Sequence, residues 1–383
     1  MNQFTPDPIN YQWVDSDDQL AKLVKRCLTA DWVAIDTEFV RTNTYYPIIG
    51  LIQLALGEEF VLIDPLAIKQ TQPLKDLLSH PQVVKVMHAC SEDLEVFQRY
   101  LGMMPEPLFD TQIAAAVLGH GLSAGYKTLV EEIYQVSLPK GEQRSDWLQR
   151  PLSESQKDYA VLDVVYLADI YQQQLVSLKQ LDRLTWVEQD CQNLLAKQRQ
   201  QTPPEQQYRR IKGAGTLTGE QLQILQALAT WREQEVEQRN IPRGFLLKDL
   251  VMVELARRQP DSMPALAEVE QIHPRVLRKD GQQILDIIAV AVARGGSLET
   301  LDTSLSREAK LQLKQIQRLI AAKAELLNVP PEQMMSRKLM VACLLNYLAT
   351  GKPELPAGLT PWKRMQIETD LMKLMASFSE QDS

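Results

Sequence analysis

An α/β domain with a mixed sheet, followed by all-α helical modules, is the architecture these 383 residues predict. Three observations carry it. Short apolar runs follow one another closely between residues 32 and 64. From residue 83 such runs alternate with helical periodicity. Beyond a polar stretch at 197–215 every pattern has helical spacing.

Residues 32–39 (WVAIDTEF) predict a buried strand running into acidic residues. Apolar runs at 48–56 (IIGLIQLAL) and 60–64 (FVLID) follow closely enough to predict an antiparallel meander. Residues 83–88 (VVKVMH) predict another strand, leading into a helix that starts near Ser91 and carries Leu94, Val96 and Phe97. Helices are expected at 109–118 (FDTQIAAAVL) and from 126. Ser153, with Gln156 three residues on, has the spacing of a capping box. It opens a long helix through Tyr159, Leu162, Val165 and Ile170 to about Leu178. The stretch KQRQQTPPEQQYRRIKGAG, with Pro203-Pro204 and two glycines, reads as a linker. After it, Leu222, Leu225, Leu228, Ala229 and Trp231 recur at helix spacing within 219–239. Shorter helices are expected near 246–258, 263–270 and 281–294, and, beyond Gly295-Gly296, near 305–328, 336–349 and 361–377.

Composition narrows the class. A hydrophobic share of 45% and a charged share of 23% are ordinary for a globular chain. The N-terminal MNQFTPDPINYQWVDSDD lacks the basic and apolar segments of a signal peptide, and no apolar run is long enough for a transmembrane helix. Cys27, Cys90, Cys191 and Cys343 lie far apart without C-x-x-C spacing, so neither a disulfide framework nor a zinc site is expected, and a cytoplasmic location fits. The four histidines form no H-x-x-x-H pair, so oxygen would have to hold any catalytic metal. The net charge of −8 is uneven: residues 1–200 hold 17 Lys+Arg against 27 Asp+Glu, and residues 201–383 hold 24 against 22. An acidic half that binds cations, joined to a mildly basic half, is compatible with phosphate recognition and equally with ordinary surface variation.

Four carboxylates on separate elements form the most informative group. Asp36 and Glu38 alternate on a strand end and so point to one face. Asp93 falls in the first turn of a helix after a strand, and Tyr159 and Asp163 share a helix face at (i, i+4). Converging carboxylates in an apolar setting repel, which raises their pKa values unless cations join them. Two divalent ions, Mg²⁺ or Mn²⁺, would resolve this, since such cations take oxygen ligands and a metal pair can serve both sides of a phosphodiester.

The segments AIDTEF (34–39), HACSEDLEVF (88–97) and YAVLDVVYL (159–167) resemble the three motifs of the ribonuclease D family, the DEDD exonucleases of the tyrosine subtype. SDWLQRPLSESQKDY (145–159) resembles the family's approach to its third motif. The resemblance covers about residues 10–195 and implies a ribonuclease H-like nuclease domain at 1–200. It also implies 3′→5′ exoribonuclease activity on RNA 3′ ends such as those of tRNA precursors; a monomer with no membrane partner is expected beside it. By it Asp36 would bridge two metals, Glu38 and Asp163 would hold one, Asp93 the other, and Tyr159 would place the attacking water. Residues 217–295 are similar to the helicase-and-RNase-D C-terminal (HRDC) domain, through L-x-x-L-x-x-L-x-x-W-R at 222–232 and NIPRGFLLKDLVMVELARRQP at 240–260. Residues 304–377 occupy the place of a second such module. A DNA-directed repair exonuclease and a non-catalytic RNA scaffold are the rival readings; all five intact positions oppose the second.

Further residues carry two readings each. Arg41 and Tyr45, in FVRTNTYYP, could meet a phosphate and a terminal base or form a turn packed on the sheet. Gln53 could face the cleft or be a polar edge position. His88 could touch substrate or close its strand as a core residue. Trp147 reads as a packing anchor, and Lys140, Arg144 and Arg150 around it could guide a nucleic-acid backbone or be solvated loop charges. Arg209, Arg210 and Lys212 carry the same ambiguity.

Overall fold

Strong apolar runs at 48–56 and 32–40 set the centre of the molecule, because both must be covered on two faces. The computed structural model describes residues 9–139, 141–200, 202–301 and 305–378. Its elements begin with β1 (Tyr11–Val14), α1 (Asp17–Cys27), β2 (Trp32–Val40), β3 (Ile48–Leu56), β4 (Glu59–Ile63) and α2 (Gln72–Ser79). There follow β5 (Val84–Met87), α3 (Ser91–Leu101), β6 (Leu108–Asp110), α4 (Thr111–Val117), α5 (Tyr126–Tyr134), α6 (Glu154–Gln180) and α7 (Leu184–Arg199). The six strands form one mixed sheet in the order β1-β4-β3-β2-β5-β6. β2, β3 and β4 are the expected antiparallel meander, whereas β1 joins β4, and β5 and β6 extend β2, in parallel.

Helix α6 lies across β2, β3 and β4, and α3 packs on β2 and β3. The Ser153–Gln156 capping box is present at the start of α6. Leu51, Leu62, Trp147, Ala160 and Val161 form one buried cluster between sheet and helix, with Trp147 only 1% exposed. Gly50 permits this: a Cβ there would lie 2.6 Å from the Trp147 carbonyl oxygen. β1, α1, α2 and α7 have no counterpart among the expected elements, and the helix expected at 109–118 begins with the last residues of β6. A three-residue strand is too short to show alternation.

The chain divides into two compact units, one within Met1–Val40, Ile48–Arg199 and Leu305–Ser383, the other within Arg41–Pro47 and Gln200–Ser304. The second unit contains α8 (Gly219–Arg239), α9 (Arg243–Leu246), α10 (Asp249–Arg258), α11 (Met263–Ala267) and α12 (Pro274–Arg294). The expected linker is partly core here. Two 3₁₀ turns, Pro204–Arg210 and Ala214–Thr216, bury Tyr208, Ile211 and Ala214 with the leucines of α8. Ile211 lies between the two turns, and the polar neighbours of all three residues conceal the pattern. The loop 41–47 also belongs to this unit: the Tyr45 and Tyr46 backbone N–H groups donate to Asn240 Oδ1 at 3.1 and 3.2 Å.

The last helices are α13 (Arg307–Leu327), α14 (Pro331–Met334), α15 (Arg337–Thr350) and α16 (Pro361–Ala376). They have a core of their own, yet they pack within the first unit through α7. Trp186 stacks on Trp362 with ring centroids 4.4 Å apart. Beside them Asp190, 6% exposed, accepts from Gln333 Nε2 (2.8 Å), Thr360 Oγ1 (2.9 Å) and Trp362 Nε1 (3.2 Å). It also pairs with Lys363 at 3.0 Å.

Candidate active site

Strand β2 delivers the first two carboxylates. Asp36 stands opposite Gln53 of β3 and Glu38 opposite Leu51, and the register shifts immediately after Glu38. Such a bulge re-aims a strand end. Between them Thr37 is buried, and its hydroxyl donates to Asp93 Oδ1. Asp93, in the first turn of α3, is 8% exposed. One turn apart on α6, Tyr159 and Asp163 complete the group. A cavity of about 530 Å³ is lined by Asp36, Glu38, Tyr159 and Asp163 together with Tyr126, Lys127 and Gln143.

Electrostatics in this cleft run against ionisation. Burial first, then the neighbouring carboxylates Asp93, Asp163 and Glu38, hold the Asp36 carboxyl well above the usual range. Burial, with Asp163 and Asp93 adding to it, pushes Glu38 up to about 9. Asp163 is raised to about 7 by burial and by Asp93. Asp93 also rises to about 7 through burial, although the Thr37 hydroxyl pulls it down. The Tyr159 hydroxyl is raised by burial and by Asp163 and Glu38, so it stays protonated, and Gln143 hydrogen-bonds it. Among the described residues no Lys, Arg or His pairs with any of the four carboxylates. An all-oxygen donor set with uncompensated negative charge fits hard divalent cations. Among the described residues no three acidic, histidine or cysteine side chains close a metal shell by themselves. Water and substrate oxygens would complete it, as Mg²⁺ sites commonly require.

Comparison with known proteins agrees with this geometry. A family model described as 3'-5' exonuclease matches residues 11–179, and the HRDC domain matches residues 221–288. Ribonuclease D of Pseudomonas paraeruginosa is 40% identical over 368 residues, covering 96% of this chain and 98% of that protein. Ribonuclease D of Escherichia coli is 35% identical over 380 residues, covering 97% of this chain and 100% of its own. The chain belongs to the ribonuclease D family. The crystal structure of Escherichia coli RNase D superposes with a TM-score of 0.89 at 34% identity, covering 96% of this chain and 99% of that one. The catalytic core of RRP6 from Trypanosoma brucei shares the fold, with a TM-score of 0.62 at 23% identity over 76% of this chain and 81% of that one. As a member of this family with the matching exonuclease domain, the chain is a 3′→5′ exoribonuclease. Enzymes of the ribonuclease D type generally use divalent metals.

The other singled-out residues lie outside the lining of this cavity. Arg41 Nε donates to the Tyr45 carbonyl at 3.1 Å. Tyr45 donates its hydroxyl to Glu233 at 2.5 Å and lies under the Arg243 guanidinium, so this turn packs on α8 and α9 and not on the sheet. Gln53 is wholly buried, and neither of its side-chain polar atoms has a partner. His88 holds Nδ1 2.9 Å from Thr111 Oγ1 and its ring 5.7 Å from Tyr126. Arg150 is a staple, not a guide: it forks onto Asp64 at 2.7 and 2.6 Å and donates to the Gly50 carbonyl. Arg144 is exposed next to Gln143, and Lys140 lies outside the described residues. Sequence reasoning missed Lys127, Gln143 and Tyr126, which line the cleft from a segment with no acidic motif. Lys127 donates to the Leu138 carbonyl at 2.6 Å.

Proposed function

We propose that Asp36, Glu38, Asp93 and Asp163 hold two divalent cations, Mg²⁺ or Mn²⁺, and that the enzyme trims structured RNA from its 3′ end. Precursors of tRNA are the substrate class we assign, and 5′-monophosphates the product. When bound, such a cation pair supplies charge stabilisation to both the attacking and the leaving oxygen of an in-line displacement. The protonated Tyr159 hydroxyl, flanked by Asp163 and Glu38, orients the attacking water. Thr37 holds Asp93 in place through its hydroxyl. Arg144, exposed beside the cleft-lining Gln143, contacts a phosphate of the incoming strand, and His88 backs the cleft through Tyr126. The HRDC domain at 217–295 grips the body of the RNA. The protein acts as a cytoplasmic monomer; four free, buried thiols suit a reducing compartment. Among the described residues no helix is long and apolar enough to cross a membrane.

One observation carries this reading: four carboxylates from three chain segments crowd together beside a tyrosine, and among the described residues no salt bridge answers them. Matched 3′- and 5′-labelled RNA and DNA oligomers, incubated with Mg²⁺, Mn²⁺ or EDTA, test it. Stepwise release of 5′-mononucleotides from RNA, lost in EDTA, is the expected result. Equal rates on DNA would shift the assignment to a repair nuclease, and cuts in circular RNA would overturn exonuclease action.

A further inference from the structure

Asp110 closes β6 and is 2% exposed; among the described residues no salt bridge joins it to a lysine, arginine or histidine, although His88 feels its charge. Both of its oxygens are spent on backbone. Oδ1 accepts the Gln112 and Ile113 N–H groups at 2.8 and 3.3 Å, as an N-cap of α4 should. The same carboxylate reaches across to the neighbouring strand. Ala89 N–H donates to Oδ1 at 3.1 Å and Cys90 N–H to Oδ2 at 3.0 Å. A helix cap needs only the first pair.

The second pair lies in the turn between β5 and α3, three residues before Asp93. Ala89 sits there at φ 51, a left-handed conformation that a residue with a Cβ adopts only when its surroundings impose it. β5 and β6 are parallel, with Met87 beside Asp110, so the carboxylate stands next to that turn. Asp110 is itself fixed from other elements. Its own N–H donates to Cys191 Sγ of α7 at 3.3 Å, and Gln174 of α6 donates to the Thr111 carbonyl at 3.0 Å. The Thr111 hydroxyl adds a bond to the Met87 carbonyl at 3.2 Å.

We propose that Asp110 is a positioning residue of the metal site: it clamps the Ala89–Cys90 turn and so fixes where α3 begins and where Asp93 meets the cations. This rests on the reading of Asp93 as a ligand. Three N–H donors converge on Oδ1 and the Cys90 N–H holds Oδ2, so Asp110 serves the site through the backbone. Groups that orient a metal ligand typically alter metal affinity by about 10–100-fold when removed.

The test is Asp110→Asn in the full-length protein, since an amide keeps the shape but replaces one acceptor with a donor. Three readouts are needed: Mn²⁺ titration without RNA, hydrogen exchange over residues 88–93, and a thermal melt. Expected are a cooperative melt, faster exchange confined to that turn, and Mn²⁺ binding weakened by about tenfold or more. An Mn²⁺ isotherm unchanged from the parent would make Asp110 a helix cap only and overturn the proposal. Should Asp110→Asn not fold, Thr111→Val loosens the same turn while keeping the carboxylate. Weaker Mn²⁺ binding by that variant supports the clamp, and parental binding overturns it. Asp93→Asn run alongside separates the two claims. If it binds Mn²⁺ like the parent, the ligand assignment has failed and the clamp falls with it; if it alone loses binding, only the clamp is wrong.

Discussion

At the cleft, Asp36, Glu38, Asp93 and Asp163 crowd one another, and burial raises all four pKa values. At the joint between α7 and the last helices, Asp190 is buried too, but it meets Lys363, Gln333, Thr360 and Trp362. All are carboxylates withdrawn from solvent, and the partners are opposite. A buried carboxylate answered by a cation and several donors holds structure together, whereas a set that meets no cation among the described residues is waiting for metal ions. The contrast separates a site from a staple more sharply than acidity or depth does, and each prediction below presses on it.

Asp36→Asn should have the largest effect. Removing one charge from the shared centre should abolish hydrolysis, a loss exceeding the roughly 10²–10³-fold caused by deleting one transition-state donor. The same change relieves repulsion, so the melting temperature of the metal-free protein should hold or rise. Turnover within tenfold of the parent would remove Asp36 from the site.

Asp190→Ala should show the reverse pattern. It leaves the Lys363 ammonium, whose side chain is 15% exposed, without its carboxylate, and breaking a buried pair costs about 3–5 kcal/mol. Denaturant unfolding should register that loss, while short RNA is still hydrolysed below the transition. Parental stability would mean the joint is solvated and that α13–α16 do not brace α7.

Tyr159→Phe comes third. Its hydroxyl acts on the water, so kcat should fall roughly 10²–10³-fold with KM little changed. A change in KM alone would turn Tyr159 into a packing or substrate residue.

The cleft was legible in sequence because its donors sit in short local patterns: an alternating pair on a strand, one acid at a helix start, and a tyrosine four residues before an acid. The joint was not. The partners of Asp190 lie 143 to 173 residues away, and nothing near Asp190 announces them. Residues 304–377 therefore read as a free-standing module, whereas their helices are packed on α7 within the first unit. Charge misled in the same way. Of the C-terminal half, residues 201–304 hold 13 Lys+Arg against 14 Asp+Glu, and residues 305–383 hold 11 against 8. The positive excess thus lies outside the segment that matches HRDC. Similarly, Arg150 looked like a solvated loop charge until Asp64, 86 residues earlier, supplied its partner.

The smallest effect is a pH slope, and its sign follows from the direction of the shifts. An unfolded Asp or Glu titrates near 4, whereas folded Asp93 and Asp163 titrate at about 7 and Glu38 at about 9. Below about pH 4 both states are protonated and the stability contribution is complete. As pH rises, the unfolded chain releases protons that the folded one retains, so stability is lost through pH 7 and on towards 9. Each retained proton costs up to about 1.4 kcal/mol per pH unit. His88, lowered by burial, works in the opposite sense, but its share is common to every sample compared. In EDTA, then, the melting temperature should fall between pH 5 and 8. Mg²⁺ should remove most of that fall, because bound cations favour the ionised carboxylates, and Asp36→Asn should flatten it. Melting curves that stay parallel with and without Mg²⁺ across this range would show that the four carboxylates are already answered within the protein, and the contrast with Asp190 would collapse.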